Sequence, residues 1–362
     1  MIKTWPLYAK ITILVILIYL VLYALYIGQD IITPLGFAFL FSILLRPVEK
    51  KLVKSGCPGV LAIILTLLIA IISFVLIVTF LSTQIKSFVK DIPEIKRNLN
   101  QLWDEVQHWL TNTFNLSEKQ QQKMLDKASS DTIENLQPIG TLGIITGSLA
   151  SIVLIPVYIF LFLYYRTLLI SFITDVFDKK HYESVQEVLT EIRFVMQSYI
   201  TGLLTETSIV AALNVTGLLI IGAPFAFLLG IVAAILNLIP YIGGLVAVLL
   251  TALITYTNTG SISKLAWAII IFLIVQLIDN NFLVPKVIAS KVKLNALISI
   301  IGVLIGGALC GVSGMFLSIP FIAICKVIFD RVEELKPWGK LLGDNIPVKN
   351  LRNVFRKKVV KK

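Results

Sequence analysis

The chain has 362 residues, of which 57% are hydrophobic and 15% charged, with mean hydropathy +0.89 and a formal net charge of +11. A water-soluble fold of this size has no interior able to hide so much apolar side chain, so an ordinary soluble domain is excluded. The apolar residues come in blocks of roughly 20 or more, enough to cross a ~30 Å hydrocarbon layer, and a run such as Leu61–Leu81 is apolar on every face, unlike the alternating strands of a transmembrane barrel.

The expected fold class is therefore all-α, a polytopic membrane protein. Its first half shows four plain spans, at about 7–27, 31–45, 59–83 and 139–165. The first follows Lys3 and Lys10 without a small-x-small cleavage signature, which reads as a retained helix. Between the third and fourth spans, Gln84–Gln137 carries 7 basic and 8 acidic residues and cannot reside in lipid. It is expected to be a small helical extramembrane subdomain, 84–138. There Ile85, Phe88, Ile92, Ile95, Leu99, Leu102, Val106 and Trp109 recur at spacings of three and four, a packing stripe, with Pro93 placed in the first turn of the main helix.

An amphipathic stretch, Phe172–Gln197, precedes a fifth span at about 199–221, and a sixth runs from about 265 to 278. Around the sixth lie two apolar blocks, Phe225–Tyr256 and Ala296–Phe329, each over thirty residues and so roughly 50 Å if straight, too long for one crossing. Both are interrupted centrally, the first by Asn237, Pro240, Tyr241, Gly243 and Gly244, the second by Gly306, Gly307, Gly311, Ser313 and Gly314. Proline removes a donor and glycine weakens a helix, so each block is expected to be a broken or re-entrant hairpin, the two tips meeting near the midplane. The chain thus divides into membrane helices 1–83, the subdomain 84–138, the fourth span with the amphipathic helix 139–198, a transport region 199–330 and a basic tail 331–362.

Basic residues near the span ends set the expected orientation. Arg46, Lys50, Lys51 and Lys54 follow the second span, Lys286, Lys291 and Lys293 follow the sixth, and the tail from Arg331 holds 10 basic against 3 acidic residues. All are assigned to the cytoplasm, with both termini inside and the 84–138 subdomain outside. Beside a membrane helix such a tail is a topology signal or an anionic-lipid contact; no nucleic-acid partner is expected.

Enzymatic constellations are missing. His108 and His181 are the two histidines, Cys57, Cys310 and Cys325 are scattered without a CxxC pair, and no phosphate-binding GxxxxGK[ST] loop occurs, so no metal and no cofactor is expected. What stands out is polar chemistry within apolar spans. Glu206 lies about two turns into the fifth span, where a carboxylate is costly unless paired, hydrated or protonated. Thr205 and Ser208 share a helical face and are candidate path residues, against the blander reading that such hydroxyls bond their own helix carbonyls. Gln276, Asp279, Asn280 and Asn281 close the sixth span ahead of Pro285, as a polar helix end with a fixed bend. Glu206 and Asp279 are the candidate ion-coupling residues.

Four segments carry a resemblance: Gly222–Gly230, Asn237–Gly243, Asp279–Ile288 and Gly306–Pro320. In order and spacing they resemble the autoinducer-2 exporter, or PerM-like permease, family. The resemblance implies an inner-membrane transporter, a homo-oligomer with a pentamer as the best guess, and substrates ranging from autoinducer-2 to sodium or lithium ions exchanged for protons. Gly244 departs from the proline often found after Pro-Tyr-x-Gly in the family. Glu206 falls where many relatives carry an apolar residue, so its coupling role rests on the membrane argument alone. Three functions remain in view: an ion-coupled exporter of a small polar molecule, a sodium(lithium)/proton antiporter, and a non-transporting scaffold. Topology is directly testable in a cysteine-free background. Single cysteines at Gln121 and Lys349 are expected to react with an impermeant thiol reagent from outside only at position 121; the converse pattern inverts the orientation.

Overall fold

The computed structural model describes residues 6–114, 141–239, 243–289 and 294–344. Apart from one isolated bridge between Leu294 and Gly343, the regular structure among the described residues is helical. Helix α1 spans Leu7–Ile27, α2 Gln29–Lys54 and α3 Gly59–Phe114. Then α4 spans Thr141–Tyr164, α5 Arg166–Val176 and α6 Tyr182–Ile220. Helix α7 spans Ala226–Asn237, α8 Gly243–Thr259 and α9 Ile262–Ile278, which runs on as a π-helical segment, Asp279–Ala289. Last come α10 at Ala296–Arg331 and the short α11 at Lys336–Leu342. Among the described residues, five helices are long and apolar enough to cross a membrane, and α4 with α5 supplies a sixth, bent by 64°. The chain is a multi-pass α-helical membrane protein.

The structure redraws several expected boundaries. Helix α3 is 56 residues long, roughly 84 Å, and carries its polar half straight out of the apolar half. It does not restart at Pro93, because a proline removes one rung of a ladder that stays intact on either side, and beyond the apolar stretch the freed carbonyl meets water. Of the apolar stripe, Phe88 packs edge-on against Phe225 at 5.3 Å, whereas Ile85 and Ile92 stay exposed; the side chains of Leu99, Leu102, Val106 and Trp109 lie outside the described residues. Asn98 donates to the Thr257 carbonyl, so this extension braces the far end of α8. The amphipathic stretch Phe172–Gln197 is likewise split: α5 ends at Val176, a polar turn follows, and α6 then runs 39 residues without a break into the fifth span. Nothing between Tyr182 and Thr201 is a proline or glycine, so the helix has no reason to stop.

Both over-long blocks fold back. Helices α7 and α8 form the first hairpin, and at its tip Gly243 sits so close to Leu236 that any side chain would collide with the Leu236 carbonyl oxygen. Pro240 and Tyr241 lie outside the described residues. Helix α10 is non-helical at Cys310 and Gly311, the latter at φ 59°, a backbone region that costs glycine little and other residues much. A straight helix would separate Gly302 from Ile322 by about 30 Å, yet a side chain at Gly302 would strike Ile322, and Gly306 and Gly314 meet backbone to backbone. Residues 240–242 of the first tip lie outside the described residues, and Leu238 beside them packs in one cluster with Phe316, Leu317 and Ala323 of the second hairpin. The first hairpin packs on α6 and α9, and the second on α6 and α2, so both rest on α6.

The core around α6 is built from small residues. Ala223, Ala226, Ala233, Ala247 and Ala268 pack with Leu218, Leu229, Ile254 and Phe272 where α6, the first hairpin and α9 meet. Without aqueous driving force between apolar helices, close approach is what holds them together. The same logic predicts that Gly306→Leu, which must part the two arms of α10, costs about 1–3 kcal/mol and lowers the melting temperature of the purified protein. Gly59→Leu, with nothing within 4 Å of the new Cβ, is expected to leave it unchanged.

Candidate functional site

The inward face of α6 carries Leu203, Glu206, Val210, Asn214 and Leu218 at spacings of three and four, all buried. Two neighbours come unusually close to it. A Cβ at Gly230 of α7 would lie 2.7 Å from the Val215 backbone nitrogen, and one at Gly202 would lie 2.6 Å from the Val287 carbonyl oxygen of the π segment. These absent side chains bring α7 and the π segment up to α6, on either side of Glu206.

Three polar groups converge there. Asn237 ends α7, and its Nδ2 donates to Glu206 Oε1 at 3.2 Å and to Asp279 Oδ2 at 2.9 Å. One carboxamide nitrogen has two N–H groups, so each carboxylate receives one. Glu206 is 4% exposed and Asp279 2%. Thr207 Oγ1 lies 3.3 Å from Glu206 Oε2 and 2.8 Å from the Leu203 carbonyl, and with a single proton it favours the nearer acceptor. Asp279 Oδ1 is buried with no donor among the described residues. Nor does any lysine, arginine or histidine among them form an ion pair with either carboxylate.

That arrangement has a definite chemical meaning. Two buried carboxylates held by one neutral amide leave negative charge and an unused acceptor, and burial without compensation is expensive. A proton or a small cation would supply the missing positive charge. The surroundings continue the polar lining toward α8: Asn237 Oδ1 and Gln276 Oε1 lie 3.5 Å and 2.7 Å from where a Cβ on Gly244 would stand, and Gln276 Nε2 donates to Asn280 Oδ1 at 3.3 Å. Gly244 keeps that contact open.

Other candidates lie elsewhere. Thr205 and Ser208 turn away from Glu206, exposed on the outer face of α6, and donate to the carbonyls of Thr201 and Leu204. Asn281 is exposed and donates to the Leu277 carbonyl. The expected helix end at 278 is absent, since the chain continues in wider π turns through Pro285, with Asp279 directed inward while Asn280 and Asn281 face out. Gly306, Gly307 and Ser313 belong to the turn of the second hairpin, where Gly306 borders an apolar cavity against α1 and α2, away from the carboxylates. Sequence reasoning passed over Asn214, 2% exposed with its Oδ1 unpartnered among the described residues, though its place two turns after Glu206 on one face was there to be read. Thr251 and Thr255 of α8 are also buried, their hydroxyls unpartnered among the described residues, and nothing in their apolar surroundings marks them in sequence.

The family model of AI-2E family transporters matches residues 13–334 of this chain. YueF of Bacillus subtilis (strain 168) is 24% identical over 308 residues, covering 82% of each chain. YhhT of Escherichia coli (strain K12) is 23% identical over 348 residues, covering 91% of this chain and 93% of its own. The AI-2 transport protein TqsA of the same strain is 22% identical over 340 residues, covering 92% and 96%.

If the amide holds the carboxylates together, Asn237→Ala leaves both without their shared donor. It is expected to cost about 1–3 kcal/mol, seen as a lower melting temperature. Glu206→Gln introduces an amide that can itself donate to Asp279, so the double variant should lose less than the sum of the two single losses. Strict additivity would mean that the three side chains do not act as one unit.

Proposed function

The chain belongs to the AI-2E family of transporters, and from that membership we propose an ion-coupled secondary transporter that exports a small polar molecule akin to autoinducer-2 across the cytoplasmic membrane. The observation that carries the coupling is the buried pair Glu206 and Asp279, joined by Asn237 at the tip of the first hairpin and lacking a basic partner among the described residues. Loading a proton or cation relieves repulsion between the two carboxylates and lets Asn237 hold α7 against α6 and the π segment. Unloading weakens that hold. Ion occupancy and the position of the hairpin are then linked, and linkage of this kind lets a gradient drive a conformational cycle. The name of the relative TqsA supports AI-2 as the solute class. Asn237, Gly244 and Gln276, which lie together beside the pair, are the residues assigned to the substrate path.

A second reading is cation/proton exchange, in which the ion at the pair is itself the cargo; the buried Asp279 Oδ1, without a donor among the described residues, favours it. Either mode fits a homo-oligomer seated in the inner membrane with both termini in the cytoplasm.

Flux through the full chain in liposomes separates these readings. Autoinducer-2 movement is expected to follow an imposed proton or sodium gradient, and Glu206→Gln and Asp279→Asn should each cut it by about tenfold or more while assembling normally. Wild-type flux with an unchanged pH profile in both variants would remove the pair from coupling. Gradient-driven sodium or lithium flux without the organic solute would select the exchanger.

A further inference from the structure

At the end of the helical bundle remote from the α6–α7 connection at Gly222–Phe225, three arginines from three elements line one cavity of about 340 Å³. Arg46 comes from α2, Arg166 opens α5 immediately after the bend from α4, and Arg193 comes from α6. Arg46 feels the repulsion of both other guanidinium groups, and Glu49 is the acidic group within its field. Around Arg46 the two neighbouring guanidinium groups outweigh Glu49. Among the described residues, none of the three arginines forms an ion pair, and Arg46 Nε is fully buried without an acceptor. Like charges gathered in a partly desolvated cleft are unfavourable by themselves and become favourable when an anion sits between them. Guanidinium forks match phosphate oxygens in geometry as well as charge.

The walls identify which phosphate. Phe39, Ile43, Phe162, Leu169 and Ile173 make the rest of the cavity mostly apolar, a poor setting for a free hydrated ion. A second cavity of about 440 Å³, lined by apolar and aromatic residues of α2, α4 and α5, adjoins it and shares Phe162 and Leu169. Helix α5 turns 64° from α4 and leaves Leu168, Phe172 and Val176 more than 60% exposed, as expected of a helix lying along the membrane surface with its apolar side in the acyl region. Arg46 and Arg193 stand where α2 and α6 change between apolar and polar sequence, and Arg166 follows directly on the apolar α4, the level of lipid phosphates. We propose that Arg46, Arg166 and Arg193 bind the phosphate of an anionic phospholipid whose acyl chain runs through the adjoining apolar cavity between α2, α4 and α5. The lipid would tie α2, α5 and α6 together across a charge cluster that otherwise pushes them apart. This inference stands independently of the coupling role given to Glu206 and Asp279.

Native mass spectrometry of the full chain, purified in neutral detergent and offered phosphatidylglycerol or phosphatidylcholine, reads the site directly. Wild type is expected to retain phosphatidylglycerol at least about tenfold better than phosphatidylcholine, and the triple variant Arg46→Gln, Arg166→Gln, Arg193→Gln to lose that preference. The triple lysine variant should retain it in part, since charge stays while the fork is lost. Should the triple glutamine variant fail to fold, Arg193→Gln alone is expected to weaken retention. Equal retention of the two lipids by wild type, or undiminished phosphatidylglycerol on the glutamine variants, overturns the proposal. Displacement of the lipid by millimolar glycerol 3-phosphate or inorganic phosphate assigns the arginines to a soluble phosphate and overturns it equally.

Discussion

The bond pair from one carboxamide to two carboxylates organises the membrane core of this protein. Asn237 lies 31 residues from Glu206 and 42 from Asp279, and it holds them at 3.2 Å and 2.9 Å. In a setting of low polarity, an unpaired carboxylate costs far more than any single apolar contact yields. The three residues must therefore be brought together, and α6, the end of α7 and the start of the π segment are placed to allow it. The arrangement is neutral in its donors and negative in its acceptors, which makes it responsive to a proton or cation.

Backbone closeness makes that meeting possible. Gly230 against Val215 and Gly202 against Val287 let two elements approach α6 more nearly than side chains of ordinary size would permit. The alanine-rich core beyond them continues the same packing toward α8 and α9. In lipid, such small residues are where dispersion contacts accumulate, since Leu-on-Leu packing offers little that Leu-on-lipid does not. The second hairpin uses the same device on itself, with Gly306 against Gly314, and also docks on α6. Helix α6 thereby links the carboxylate pair at its middle with two mechanical neighbours and, nearer its start, with the arginine cluster. Beyond that cluster, Arg331 at the end of α10 bonds Glu187 and Glu191 of α6 at 2.7 Å and 2.9 Å, an exposed connection of modest strength.

The division between what was readable along the chain and what was not follows the range of the forces involved. Hydropathy and its interruptions are local, so the α-helical membrane class, the fold-back of Phe225–Tyr256 and Ala296–Phe329, the oddity of Glu206 and Asn237 inside apolar runs, and the polar end of the sixth span at Asp279 could all be read from the sequence alone. Helix continuity is partly local too, yet Pro93 and the junction near residue 198 did not interrupt α3 and α6, because one missing N–H or a change of polarity does not by itself end a helical ladder. Which polar groups meet is not local at all. Thr205 and Ser208 share a helix with Glu206 but point away from it, the second hairpin's glycines pack on one another instead of reaching the site, and Asn214 turns inward unannounced. Those outcomes were decided by the rotation of α6 about its axis and by the neighbours that Gly202 and Gly230 admit. Composition and periodicity determined that these residues had to be buried in helices within a membrane; only tertiary packing, acting between side chains tens of residues apart, decided that one asparagine would hold a glutamate and an aspartate together.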